Sequence, residues 1–255
     1  MFWHEKLKVY GKALDAAASL AELSASWEKK HSIVDHLSRA SEGIVLNIAE
    51  GTRLQSAGAR QHMLNYAVGS TLECAACLDI AAIKRLLPLE LQRRQKEQLC
   101  EIVKMLVGLR KSWAAGELRE ESPEYGGGEG WAQSGPLFGH ERLDVYQTAL
   151  EFMRWFNTLP AGATLCSRLY RQVDKVATSL ILNIAEGNGR YPEEDRRRFL
   201  DIAEASAVKA AAYLDLCQRK EGLDEAQRQG GIELLLGVSR MLRGLAVISQ
   251  APDDA

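Results

Sequence analysis

The sequence predicts an all-α protein: two tandem up-down-up-down four-helix bundles joined by a flexible Gly/Glu-rich linker. Three observations carry that prediction. Apolar residues recur at helical spacing along most of the chain, and no alternating strand pattern interrupts them. Ala, Leu, Glu, Arg, Lys and Gln, the strong helix formers, dominate, and the six prolines fall mostly between helical patterns. The chain also repeats itself at a constant, gap-free offset of 136 residues.

The repeat sets the domain organisation. His4-Glu5-Lys6-Leu7-Lys8-Val9-Tyr10 returns as His140-Glu141-Arg142-Leu143-Asp144-Val145-Tyr146, and Leu46-Asn47-Ile48-Ala49-Glu50-Gly51 returns as Leu182-Asn183-Ile184-Ala185-Glu186-Gly187. Roughly thirty of about 110 aligned positions are identical. Residues 1–115 and 140–255 are the two units. Residues 116–139 between them are acidic, with a glycine run at 126–128; such a segment cannot bury a core, so it is expected to be a tether.

In the first unit, Leu7, Tyr10, Leu14, Ala17 and Leu20 mark helix one. Helix two runs from about Ile33 to Glu50, with Gly51 expected as its left-handed C-cap. Helix three runs from about Ala57 to Leu86, and Pro88 starts helix four, which reaches about Trp113. In the second unit Pro160 and Gly162 divide helices one and two, and Gly187 and Gly189 end helix two. Pro192 with Glu193-Glu194-Asp195 opens helix three, where the helix dipole favours acids, and Gly222 closes it. The third helices carry small residues on more than one face (Ala67, Gly69, Ser70, Ala75 and Ala76; Ala203, Ala205, Ala207 and Ala212). Either these form a helix-helix interface between bundles, or they are strong helix formers on a solvated face.

Composition restricts function. In 255 residues, 46% are hydrophobic and 26% charged, as in an ordinary globular protein, which excludes wholesale disorder and collagen-like structure. The formal charge is -2 and the pI near 6.3, so any basic surface must be local. The two units and the tether carry about +4, -2 and -4, placing the modest positive excess on the first unit. The five cysteines are an odd set in apolar helical stretches, read as buried free thiols of a reducing cytosol. There is no apolar leader at the N-terminus and no run of eighteen apolar residues, so the expected location is cytoplasmic, without a membrane partner.

Several residue sets invite a chemical role. Asn47 with Glu50, and Asn183 with Glu186, lie three apart on an otherwise apolar helix face. They need partners there: the glutamates are expected to bond the loop or the first amides of helix three, and the asparagines to bridge helices. With Gly51 and Gly187 they form the structural motif. Glu28-Lys29-Lys30-His31 has the spacing of a di-iron ligand pair, but its counterparts are Thr164 and Ser167, so no metal is expected. Cys74-x-x-Cys77 has no paired Cys in the second unit and reads as core. The glycine run lacks the Lys-Ser/Thr of a phosphate loop. No nucleophile and base recur across the units, so no catalytic residue, cofactor or small-molecule substrate is expected. The candidate nucleic-acid contacts are Asn188, Arg190, Arg196, Arg197 and Arg198, with Arg53, Arg60, Lys84 and Arg85 in the first unit. The alternative for the Arg196–Arg198 run is salt bridging to Glu193, Glu194 and Asp195.

The repeated Asn-Ile-Ala-Glu-Gly, the Leu-x-Val-Tyr start, Arg39-Ala40, Gly189-Arg190 and Phe199-Leu200 together resemble the bacterial four-helix-bundle family that includes proteins encoded in 23S rRNA intervening sequences. That family is in turn similar to accessory variability proteins of diversity-generating retroelements. The resemblance covers both units. It implies a homo-oligomer, and a non-enzymatic accessory protein that binds RNA or a nucleoprotein enzyme such as a reverse transcriptase. A protein-protein scaffold without nucleic-acid affinity is the alternative. The copies differ, Lys175 and Lys209 standing where Arg39 and Glu73 do, which suggests specialised surfaces.

Overall fold

The computed structural model describes residues 2–29, 31–114, 135–159, 167–190, 193–220 and 223–248. Eight α-helices occur among them, and no strand: α1 (Lys8–Ser24), α2 (Ile33–Arg53), α3 (Ala57–Ile83), α4 (Leu89–Ala114), α5 (Asp144–Thr158), α6 (Ser167–Asn188), α7 (Glu193–Arg219) and α8 (Glu225–Ile248). Helices α1–α4 pack in a square, each on its neighbours in sequence and α1 on α4; α5–α8 repeat the arrangement. A short 3-10 turn precedes each unit, Trp3–Lys6 and Gly139–Arg142. In both, the glutamate of the His-Glu pair bonds back to the main chain: Glu5 accepts from the Phe2 N–H at 3.0 Å, and Glu141 from the Leu137 N–H at 2.6 Å.

Helix boundaries follow local chemistry. The Ser56 hydroxyl accepts from the Ala59 N–H and caps α3. At the other end, the Leu86 N–H bonds the Ala81 carbonyl and the Arg85 N–H the Ala82 carbonyl, with Arg85 at φ 57°. That is a Schellman ending, with an arginine where glycine is usual. Gly51 departs from expectation. It lies inside α2, not at a left-handed cap, and Gly187 likewise lies inside α6. A Cβ on Gly51 would sit 3.2 Å from Met63 Cβ, and one on Gly187 3.0 Å from Phe199 Cβ. The motif glycine therefore serves close packing of helix two on helix three. The expected stops at Pro160, Gly162, Pro192 and Gly222 lie outside the described residues.

The units are not merely tethered. Helix α3 packs on α6 and α5 as well as on α2 and α4, so it is covered nearly all round. Its apolar and small residues, Ala67, Leu72, Cys74, Ala75, Ala76 and Ile80 among them, are buried. Of the two readings of the small residues, α3 follows the interface; on α7 the counterparts Ala205 and Ala212 are exposed. The apolar core runs continuously from one bundle into the other. Residues 135–139, the end of the expected tether, are part of this junction: Phe138 is buried, and the Cys100 thiol lies 3.7 Å from the Leu137 carbonyl. The rest of the expected tether, through residue 134, lies outside the described residues.

Candidate nucleic-acid interface

Two of the predicted phosphate contacts face protein. Lys84, at the C-terminus of α3, forms a salt bridge with Asp174 of α6; both side chains are buried. Asp174 also accepts from Ser32 at 3.3 Å, so the pair spans the junction. Arg190 follows α6 and is buried as well. It pairs with Glu186 and lies between the rings of Tyr66, 4.5 Å away, and Phe199, 4.7 Å away. Gly69 makes room for it, since a Cβ there would be 2.9 Å from the guanidinium carbon. Both cations therefore hold the units together and are withdrawn from the solvent a phosphate needs.

Glu186 thus reaches the loop after helix two, as its apolar face required, but through a guanidinium rather than an amide. Burial pushes its carboxyl above the usual range, against the pull of Arg190. Glu50 is exposed. The asparagines do not bridge helices: Asn47 Nδ2 donates to the Gly43 carbonyl at 2.7 Å and Asn183 Nδ2 to that of Ser179 at 2.6 Å, each one turn back on its own helix.

The remaining candidates scatter. Arg197 and Arg198 are exposed beside Glu194 and Asp201 in a shallow depression, which suits mutual neutralisation. Arg196 is half-buried. Arg60 lies over the Trp113 ring at 5.8 Å and donates to the Gln55 carbonyl. Arg53 and Arg85 are exposed, at the ends of α2 and α3. Arg85 lines a different depression from Arg197 and Arg198.

A cleft at the junction gathers others. It has a volume of about 660 Å³ and a floor of Val68, Leu72, Val103 and Phe138. Lys104, Arg110 and Lys111 of α4 line it with Gln61 and Asn65 of α3, together with two of the sequence-predicted contacts, Asn188 and the buried Arg190, and no carboxylate lines it among the described residues. Arg110 donates to Asn65 at 2.9 Å, a neutral partner. Sequence reasoning missed these cations. Their signal was the spacing of Lys104, Val107 and Lys111 along the outer stripe of α4, which shows only once the core stripe (Leu99, Ile102, Leu106, Leu109) is assigned.

Next to Phe138 of the cleft floor lies a buried polar cluster. Asp79 accepts from the Tyr146 hydroxyl at 2.8 Å and from Gln92 at 2.6 Å, and Lys96 bridges Asp79 and Glu141. Burial raises the Asp79 carboxyl. His140 stacks on Phe138 and meets Tyr146 edge-on, with neither ring nitrogen hydrogen-bonded. Burial, reinforced by Lys96, lowers its pKa to about 3. Asp79, His140 and Glu141 have the donor types of a metal site, but the Lys96 ammonium already stands between the two carboxylates as their cation. Cys74 and Cys77 are fully buried thiols, pushed well up by burial.

No curated protein and no solved structure matched the chain. A family model described as 23S rRNA-intervening sequence protein matches twice, over residues 5–108 and 141–244, and so covers each four-helix unit. The chain therefore belongs to the 23S rRNA-intervening sequence protein family, as a tandem duplication of its module.

Proposed function

We propose that this chain is a non-enzymatic, cytoplasmic accessory protein that self-associates and binds RNA or an RNA-protein enzyme such as a reverse transcriptase. The observation that carries the RNA reading is the junction cleft, where Lys104, Arg110 and Lys111 stand over an apolar floor with no lining carboxylate. Cations gathered at a cleft that no carboxylate lines are the kind that neutralise phosphates and release counterions. The apolar floor and the amides of Gln61, Asn65 and Asn188 suit an unpaired nucleotide better than a smooth duplex.

Fluorescence anisotropy with single-stranded and duplex RNA across a salt series tests this. Affinity is expected to fall as salt rises, and the triple change Lys104→Ala, Arg110→Ala, Lys111→Ala to weaken binding and flatten the slope by about 0.7 per lost single-strand contact. Salt-insensitive binding, or a triple variant that binds like the parent, defeats the RNA reading. The scaffold alternative draws on a separate observation, large apolar side chains exposed on both units.

A further inference from the structure

A second cavity lies where α5 of unit two meets the end of α3 and the start of α4 of unit one. It has a volume of about 980 Å³, larger than the basic cleft, and no aromatic ring lines it among the described residues. Ala82, Ile83 and Leu150 supply its apolar surface.

Four cationic side chains line it, and two of them are already matched. Lys84 pairs with Asp174, and Lys96 lies between Asp79 and Glu141. Arg85 and Arg154 are exposed at the cavity, and their guanidinium groups make no ion pair or hydrogen bond among the described residues. Arg85 also holds φ 57°, in the left-handed region that a Cβ disfavours. Glycine would end α3 there with less strain; the arginine keeps a guanidinium at this cavity.

The neutral groups are oriented by their neighbours. Gln92 donates its amide to Asp79 at 2.6 Å and Gln147 to the Glu141 carbonyl at 2.7 Å, so each leaves its Oε1 as an acceptor. Thr158 donates its hydroxyl to the Trp155 carbonyl at 2.7 Å and likewise leaves oxygen lone pairs. Asn157 is the reverse: its Oδ1 accepts from the Tyr170 hydroxyl at 3.3 Å, and its Nδ2 is a buried donor with no partner among the described residues. Acceptors and a donor in one lining match hydroxyl groups, which do both.

This polar set belongs to one place in the fold. At the 136-residue offset, Gly11, Ala18 and Ala21 of α1 stand where α5 has Gln147, Arg154 and Asn157, and Glu221 stands for Arg85. Helix α1 packs on α2 and α4 of its own unit, whereas α5 also packs on α3 of the other. The copy that meets no second unit lacks the polar groups.

We infer that this cavity binds a small phosphorylated polyol, its phosphate held by Arg85 and Arg154 and its hydroxyls by Gln92, Gln147, Asn157 and Thr158. Two unmatched guanidinium groups balance one phosphate dianion, whereas a single carboxylate would leave one of them over. Asp79 and Glu141 on the lining oppose a polyanion, and no ring is present to stack a base, so the occupant is a small molecule rather than RNA. Its contacts come from both units, so it braces the junction. The inference is independent of the RNA reading.

Calorimetric titration of the full chain with glycerol 3-phosphate, ribose 5-phosphate and glucose 6-phosphate tests this, with inorganic phosphate and glucose as reference probes. At least one of the three is expected to bind more tightly than both references and to raise the unfolding temperature. Arg154→Ala places on α5 the residue that α1 already carries as Ala18, and is expected to weaken that binding by about tenfold or more. Arg85→Gly is expected to weaken it by a similar factor without lowering the unfolding temperature of the free protein, which separates lost binding from lost folding. The triple alanine variant at Lys104, Arg110 and Lys111 is expected to bind the same compound as the parent does. No binding of any of the three at millimolar concentration, binding no tighter than that of inorganic phosphate, binding that survives both arginine changes, or binding lost in the triple variant would each overturn the inference. RNA affinity measured by anisotropy is expected to be the same with and without the bound compound, so either reading can fail while the other stands.

Discussion

Replacing His140 with leucine isolates an acid-sensitive element of the junction. The imidazole is fully buried, unbonded at both nitrogens, and faces Lys96 of the other unit, with Asp79, Glu141 and Tyr146 around it. Its pKa is about 3 in the folded chain against an ordinary 6.5. Between those values the unfolded chain binds a proton that the folded chain refuses. Stability from this group is therefore complete above pH 6.5 and declines as pH falls, levelling off below about 3. At about 1.4 kcal/mol per pH unit, the decline from neutrality to pH 4 comes to about 3 kcal/mol. Asp79 and Glu186 act in the opposite sense, since burial raises their carboxyls and the folded state takes their protons first. The difference between parent and variant, from urea unfolding at a series of pH values, removes those common contributions. The expected result is a variant whose stability falls less from pH 7 to pH 4, by about 3 kcal/mol. Parallel curves would show that the imidazole is reached by water or bonded in the native state, and would refute the argument.

Other expectations concern the same junction. Gly69→Ala places a methyl against the Arg190 guanidinium and should cost about 1–3 kcal/mol in thermal unfolding, with Arg190→Leu relieving much of the loss, as Ala205 and Leu54 do in the sister positions. Lys84→Ala leaves Asp174 buried without its cation; a loss of about 3–5 kcal/mol is expected by chemical denaturation, partly restored by adding Asp174→Ala. Cys74 and Cys77 should resist a thiol reagent in the native chain and react promptly in denaturant; fast native labelling would mean that α3 opens.

The helices, their grouping in fours and the duplication were all legible along the chain. They depend on apolar spacing within about twenty residues and on self-similarity at one offset, both local properties of the string. Gly51 shows where such legibility stops. A glycine after a helical pattern looks the same whether it ends the helix or lets Met63 and Trp113 close against it.

The candidate site was less legible, for an electrostatic reason. Lys84 and Arg190 have the same composition signal as Lys104 and Lys111, yet the first two are buried in ion pairs and the others stand at a cleft. Position relative to an apolar stripe is written in the sequence. Which of two copied faces becomes covered is not, because the choice depends on a contact between segments about a hundred residues apart, where a single Gly69, an Asp174 or a missing counterpart tips a heterologous interface. The duplicated string determined the two bundles; only their packing decided which charges hold the molecule together and which remain for a partner.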